Sequence, residues 1–301
     1  MTTIKHTTTM AHAYATTADV ETLKPSLNAL IEEIVASTLS TALLRGALVA
    51  GMGEITTILR AVPVAEGRML ERGIALLASL NPDLVVLTGN LRLPVTKAAT
   101  ELVEMNDPAL YRSLSLDADS GGRKTYTPDL LILNRRTDVA HLVDVKRSLG
   151  SYELSRIAEL KNRMLAAALV VPDLLYKEHR RLQAKEVRVV ILNAENQRSD
   201  LEGGVWPLSH LDHLLEVAGA GEVMAKLRAL FQARIEANWS DALQSHGRAQ
   251  VADFAEAERL RLCGVASDNT QPTIPPSMTR PAPSQPTVQI GFAQVPRAAP
   301  H

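Results

Sequence analysis

The 301-residue chain is poor in cysteine, in aromatic residues and in net charge, and each shortage excludes a class of protein. A single cysteine, Cys263, excludes an intrachain disulfide and a cysteine-rich zinc module. Aromatic residues make up only 3% of the chain, so the core must consist mainly of Leu, Val, Ile and Ala. The net charge of −1 argues against a protein that coats nucleic acid through bulk charge.

The chain also shows no secretion signal at its start, because its first fifteen residues contain no apolar stretch. The most apolar segment, residues 27–51, contains Glu32, Glu33 and Arg45 and is judged too short for a membrane span. We therefore expect a soluble, cytoplasmic protein with no membrane partner. The absence of a P-loop pattern argues against an ATP-driven motor.

Composition and periodicity divide the chain into five segments. Residues 1–20 are rich in Thr, and residues 266–301 contain eight of the sixteen prolines, so we expect both ends to be disordered. Residues 21–63 form an N-terminal helical region, residues 64–208 an α/β core, and residues 209–265 C-terminal helices. The Pro-rich tail is a candidate docking segment for a protein of unknown kind.

Turn residues and hydrophobic periodicity also predict the elements within these segments. The first helix covers apolar residues from Leu27 to Leu44. The later elements are a helix at 64–80, strands at 84–87 and 91–95 joined by a hairpin turn, a helical insertion at 96–116, strands at 129–134 and 139–145, a helix capped by Ser151 and ending near 171, a strand at 187–192, and helices from a Ser209 cap to about 263.

The two strands at 129–134 and 139–145 form the most informative part of the sequence. If residues 135–138 make the turn, Asn134 pairs with Val139, and Asp129 then lies opposite Asp144. Opposed residues of an antiparallel pair have Cβ atoms about 4.5–5.5 Å apart. Since strand side chains alternate, Lys146 shares a face with Asp144. Two carboxylates and one ammonium group should therefore converge at the end of this hairpin.

Two carboxylates at such a short distance destabilise each other unless a cation lies between them. Oxygen-rich sites with open positions suit Mg²⁺ or Mn²⁺, which retain waters and bind substrate phosphate. Lys146 can stabilise developing charge or orient the attacking water, so the chemistry implied is phosphodiester hydrolysis. The alternative is structural: Asp129 ends a loop, and Asp144 and Lys146 form a solvent-facing ion pair on an edge strand.

These residues resemble the PD-(D/E)xK nuclease superfamily, in which Pro128-Asp129 matches the PD element and Asp144-Val145-Lys146 the (D/E)xK element. The resemblance covers residues 64–208 and implies a restriction-endonuclease-like αβββαβ core with a mixed sheet, here with helical N- and C-terminal extensions. It also implies metal ligation by Asp129, Asp144 and the Val145 carbonyl, and water activation or charge stabilisation by Lys146.

Many members of that superfamily also place a glutamate on the helix before the first strand. The resemblance nominates Glu71 as this third acidic group, both catalytic and metal-ligating, with Glu66 as its rival. The chain departs from the pattern in the long segment between Asp83 and Asp129, which leaves the identity of the first core strand open.

Basic residues are in excess around the motif, with nine Lys and Arg against five Asp and Glu between residues 121 and 163. We expect Arg123 and Lys124, beside a double glycine, to contact nucleic acid, together with Arg147 and Lys161. Lys161 projects from the apolar face of the helix after the motif, where a lysine often extends its ammonium group to solvent instead.

The sequence thus predicts a Mg²⁺- or Mn²⁺-dependent nuclease, a hydrolase acting on phosphodiester bonds, with DNA as the expected substrate and an endonucleolytic mode. A catalytically idle nuclease-fold module that binds DNA or serves in assembly is the alternative, and a scaffold with an accidental motif match is a third reading. DNA against RNA, cleavage specificity, biological pathway and a homodimeric state are left open by the sequence.

Overall fold

The computed structural model describes most of the chain, in seven stretches: residues 14–89, 91–111, 114–119, 124–150, 152–179, 181–195 and 199–264, with residues 262–264 described by their backbone alone. The chain forms two compact units, Met1–Val251 and Ala252–His301. In the second unit the described residues are the last turns of one long helix, on which Phe254 and Leu260 are exposed.

Three helices open the first unit after a short strand, β1 (Thr16–Thr17). They are α1 (Val20–Thr38), α2 (Thr41–Ala50) and α3 (Met52–Ala78). The predicted first helix is therefore two helices, because the Ser40 side chain accepts a hydrogen bond from the Leu43 N–H and starts a new helix there. The predicted second helix begins twelve residues earlier than expected, since its first turns expose apolar residues that give no periodic signal.

One stretch, Val20–Ala50, has the length and composition of a membrane-spanning helix, contrary to the expectation that its charged residues leave it too short for a span. In the structure this stretch is divided between α1 and α2, and Leu27, Ile31 and Ile34 of α1 are buried in the core. The core helix of a soluble protein passes the same test. The cytoplasmic location accordingly stays a prediction.

The remaining elements alternate between strands and helices. In chain order they are β2 (Leu84–Thr88), β3 (Leu93–Val95), α4 (Lys97–Met105), α5 (Pro108–Tyr111), β4 (Lys124–Tyr126), β5 (Leu130–Asn134), β6 (Val139–Lys146), α6 (Leu154–Ala168), α7 (Val171–Glu178), β7 (Glu186–Asn193), β8 (Val205–Pro207), a 3₁₀ turn (Leu208–His210), α8 (Leu211–Leu215), β9 (Val217–Ala218) and α9 (Ala220–Gly264).

A mixed five-stranded sheet forms the centre of the unit, in the order β2–β5–β6–β7–β8. The first three strands are antiparallel neighbours, whereas β7 and β8 are added in parallel. All five residues of β5 are buried, as expected for a central strand covered on both faces. The predicted mixed α/β architecture with helical extensions is confirmed.

The predicted hairpin around residues 88–90 is wrong. β2 pairs with β5 in the main sheet, whereas β3 pairs with β4 in a separate two-stranded sheet. Gly89 has a positive φ of 72°, so it does mark a sharp change of chain direction. A turn signal fixes where a strand ends but not which strand it pairs with, and the half-buried β2 pairs with β5 at the edge of the main sheet.

The hairpin of β5 and β6 is confirmed in the predicted register, with Asn134 opposite Val139 and Leu130 opposite Val143. Its turn contains Asp138 in the left-handed region, at φ 56°. The Asn134 side chain accepts hydrogen bonds from the N–H groups of Arg136 and Thr137 and so fixes the turn. This register brings Asp129, the residue before β5, to the end of β6 that carries Asp144.

Two predicted helix caps are wrong. The N-cap of α6 is Glu153, whose side chain makes no capping hydrogen bond, and Ser151 lies outside the described residues. Ser209 lies inside the 3₁₀ turn rather than before a helix. The Asp212 side chain instead accepts hydrogen bonds from the N–H groups of Gly219 and Gly221 at the start of α9.

The sheet separates two apolar clusters of buried residues. On one face α1, α3 and α9 pack together with Leu130, Val143 and Leu192. On the other face α4, α6 and α7 pack with Leu131 and Leu142. The side chains of Asp144 and Lys146 share the face of Leu142, because strand side chains alternate.

Gly73 allows α3 and α9 to pack closely, and this predicts an effect on stability. A Cβ added at Gly73 would lie 2.6 Å from Leu227 Cδ2, whereas a Cβ at Gly67 of the same helix meets nothing within 4 Å. We expect Gly73→Val to be less stable than the matched Gly67→Val by about 1–3 kcal/mol. Urea unfolding followed by circular dichroism measures this difference, and equal stability of the two variants would show that the helices do not pack this closely.

Candidate active site

The Asp144 carboxylate is the centre of the candidate site. Its side chain is only 7% exposed, although it is charged and lies near the end of a strand. Oδ1 forms an ion pair with Nζ of Lys146, two residues along β6. Within the described residues, Oδ1 receives no hydrogen bond of regular geometry. Oδ1 is itself fully buried, and its charged partner in the structure is the Lys146 ammonium group.

Lys146 is held between this carboxylate and the protein interior. Its side chain is 25% exposed, so the ammonium group is partly removed from water. Burial by itself lowers the pKa of Lys146, but the negative charge of Asp144 and, more weakly, of Asp129 outweighs burial and raises the pKa overall. The structural alternative was a solvent-facing ion pair on an edge strand. The structure does not match it, because the pair is largely buried and β6 lies between β5 and β7 in the sheet.

Asp129 is held against the end of β6 by a direct hydrogen bond. The N–H of Val145 donates to Asp129 Oδ2 at 2.6 Å. Burial raises the pKa of Asp129, and the Asp144 carboxylate raises it further, while the Val145 N–H partly opposes the shift. The predicted convergence of Asp129, Asp144 and Lys146 is thus present, and the two carboxylates are close enough to repel each other.

Glu71 interacts with the same group of charges from α3. Burial raises the pKa of Glu71 to about 7, with further contributions from the carboxylates of Asp129 and Asp144. Lys146 and Arg68 act in the opposite direction. Three acidic groups therefore share the field of one site.

The rival residue, Glu66, has other partners. Its Oε1 accepts hydrogen bonds from Nη2 and Nε of Arg228 on α9, at 2.8 and 3.2 Å. Arg147 lies on its other side, with Nε 3.9 Å from Oε2. Glu66 is thus paired with Arg228 and lies near Arg147, whereas Glu71 shares the field of the Asp129 and Asp144 carboxylates.

Tyr126 was not identified from the sequence as a site residue. Its hydroxyl donates a hydrogen bond of 2.8 Å to Asp144 Oδ2, and the ring is 6% exposed. Burial and the neighbouring Asp144 carboxylate raise the pKa of Tyr126, so the phenol stays protonated and donates. The sequence shows only that Tyr126 lies three residues before Asp129, which does not indicate this contact.

The donor set suits a hard divalent cation, with two carboxylates and the main-chain carbonyl of Val145 available as oxygen ligands. Among the described residues no three His, Cys, Asp or Glu side chains are arranged to hold a metal ion. Glu71 therefore does not complete a three-carboxylate site in this arrangement. The fit rests on Asp129 and Asp144, whose mutual repulsion a bound cation would relieve.

The predicted nucleic-acid contacts are only partly described. Arg123 lies outside the described residues, and Lys124 is exposed at the start of β4. Arg147 is 49% exposed and lies near both Glu66 and Glu195. Lys161 Nζ is 3.2 Å from Asp200 Oδ2. Lys161 lines a cleft of about 620 Å³ beside the first half of β7, and Asp129 and Asp144 are not among the lining residues of this cleft.

Comparison with models of protein families, with curated proteins and with solved structures finds no match for this chain.

The raised pKa of Glu71 predicts a change in the pH dependence of stability. The pKa of about 7 in the folded state exceeds the ordinary value of 4.5, so ionisation of Glu71 costs stability as the pH rises from about 4.5 to about 7. Glu71→Gln cannot ionise. We expect its Tm in metal-free buffer to match that of the wild type near pH 4.5 and to exceed it at pH 8.

Glu66→Gln is the matched control for that measurement. Glu66 lies on the same helix as Glu71, but its carboxylate is paired with Arg228 of α9. The Tm of Glu66→Gln should therefore fall below that of the wild type at pH 8. Scanning calorimetry at both pH values compares the three proteins. A constant difference between Glu71→Gln and the wild type across this range would contradict the proposed field at Glu71.

Proposed function

We propose that this chain is a metal-dependent nuclease that hydrolyses phosphodiester bonds, with DNA as its substrate and an endonucleolytic mode. The observation that carries the proposal is the convergence of the Asp129 and Asp144 carboxylates with the Lys146 ammonium group at one end of β6. Such a group of charges needs a cation, and the order α3, β2, β5, β6, α6, β7 is compatible with the restriction-endonuclease-like αβββαβ core.

In this proposal Asp129, Asp144 and the Val145 carbonyl hold Mg²⁺ or Mn²⁺. A divalent ion held there would supply Lewis-acid chemistry, polarising a phosphoryl oxygen and lowering the pKa of a bound water. The Val145 N–H holds Asp129 through Oδ2, and Oδ1 is the oxygen that would contact the cation in this proposal. The hairpin register of β5 and β6 places Asp129, the residue before β5, beside the end of β6 that carries Asp144.

Lys146 provides the positive charge that the substrate meets. Its ammonium group lies beside Asp144 and remains partly accessible, so a phosphate oxygen can approach it. There it stabilises negative charge that develops on the phosphate or orients the attacking water. Arg147, the next residue, is half-exposed and is proposed to contact the nucleic-acid backbone, as are Lys124, Arg123 and Lys161.

Loss of either charged group should abolish cleavage. We expect Asp144→Asn and Lys146→Ala to lower the rate of Mg²⁺-dependent plasmid nicking by at least about 100-fold, the usual cost of removing one group that stabilises a transition state. The assay measures conversion of supercoiled DNA on a gel, with single-stranded DNA and RNA as parallel substrates.

The same residue types at the opposite end of the sheet supply the control. Lys185 Nζ lies 2.6 Å from Asp138 Oδ2 beside the β5–β6 turn. Asp138→Asn and Lys185→Ala should cleave at the wild-type rate. Cleavage that persists in both Asp144→Asn and Lys146→Ala would refute the proposal, and tight DNA binding by the wild type without cleavage would identify a catalytically idle module instead.

A further inference from the structure

We infer that Tyr126 is a positioning residue that fixes the Asp144 carboxylate for cation binding, and that the small sheet of β3 and β4 holds it there. This inference rests on the proposed function, because it concerns the same site. It adds to the site a residue that does not belong to the PD or (D/E)xK elements.

The two oxygens of the Asp144 carboxylate have different partners. Oδ2 accepts the hydrogen bond of the Tyr126 hydroxyl, and Oδ1 lies beside Lys146. A carboxylate at the end of a short side chain can rotate about its terminal bond, which has broad preferences. The hydrogen bond from Tyr126 restricts this rotation. Oδ1 therefore stays directed toward Lys146, on the side of the site where Asp129 lies.

Tyr126 lies in a part of the fold outside the five-stranded sheet. β4 does not belong to the five-stranded sheet but pairs with β3, so that Tyr126 lies opposite Leu93. Both residues are buried in the cluster that α4 and α6 cover. The Tyr126 ring is thus anchored on a separate small sheet, and its hydroxyl reaches the main sheet only at Asp144.

The same apolar cluster contains a second tyrosine, Tyr111. Tyr111 is also buried there, at 4% exposed against 6% for Tyr126. The Tyr111 hydroxyl has no hydrogen-bond partner among the described residues, whereas the Tyr126 hydroxyl has Asp144. Among the described residues, the contact with Asp144 therefore distinguishes Tyr126 from the other buried tyrosine of this cluster.

Outer groups that hydrogen-bond to a ligating carboxylate orient it, and their loss typically costs 10–100-fold in metal affinity or activity. We therefore expect Tyr126→Phe to weaken Mn²⁺ binding by about 10–100-fold. Tyr111→Phe, which removes a hydroxyl that has no partner in the part of the chain that the structure describes, should bind Mn²⁺ as the wild type does. Titration calorimetry with Mn²⁺ alone measures both variants, and circular dichroism establishes that each is folded.

A second readout separates positioning from general damage to the fold. If Tyr126 acts through the affinity for the cation, raising the Mn²⁺ concentration should restore nicking by Tyr126→Phe to within a few-fold of the wild-type rate. A loss that excess Mn²⁺ does not reduce, in a folded variant, would overturn the positioning role.

The possible results also distinguish this inference from the function on which it rests. Equal Mn²⁺ affinity of Tyr126→Phe and the wild type would overturn the inference while leaving the nuclease proposal intact. A wild-type protein that binds no Mn²⁺ and cleaves no nucleic acid would overturn both.

Discussion

The repulsion between two carboxylates held at one end of a hairpin is the constraint on which the site depends. Asp144 is buried and Asp129 is tied to the Val145 N–H, so neither side chain can turn freely into solvent. Burial raises the pKa of Asp129 and of Glu71, and the neighbouring carboxylates raise both further. Lys146 opposes the shift at both residues and Arg68 opposes it at Glu71, and a divalent cation between Asp129 and Asp144 would relieve the remaining repulsion.

The fold accounts for this arrangement through rigid elements. β6 lies between β5 and β7; its pairing with β5 ends at Val143, and its pairing with β7 continues through Asp144 to Lys146 and fixes the backbone of both residues. α3 brings Glu71 to the same end, and its packing against α9 is held by the Glu66–Arg228 pair. The small sheet of β3 and β4 then adds Tyr126 from the side of α6. Each contribution comes from a different part of the chain.

Local rules were sufficient for the part of the site that is local in sequence. The turn after Asn134 sets the register, and strand alternation then places Asp129, Asp144 and Lys146 together, as the sequence predicted. The pairing of β2 was predicted wrongly, because its partner β5 lies more than forty residues away and no turn signal connects them. Tyr126 was missed for the same reason: its contact depends on how two sheets pack, which no short pattern encodes. The choice between Glu66 and Glu71 likewise required knowing where Arg228 lies.

The central claim is that a divalent cation binds between Asp129 and Asp144. The most direct measurement is a crystal of the protein grown with Mn²⁺ and recorded at a wavelength where manganese scatters anomalously. The account predicts one strong anomalous peak bridging the two carboxylates. Well-ordered Asp129 and Asp144 side chains without such a peak, at a Mn²⁺ concentration that saturates nicking activity, would contradict it.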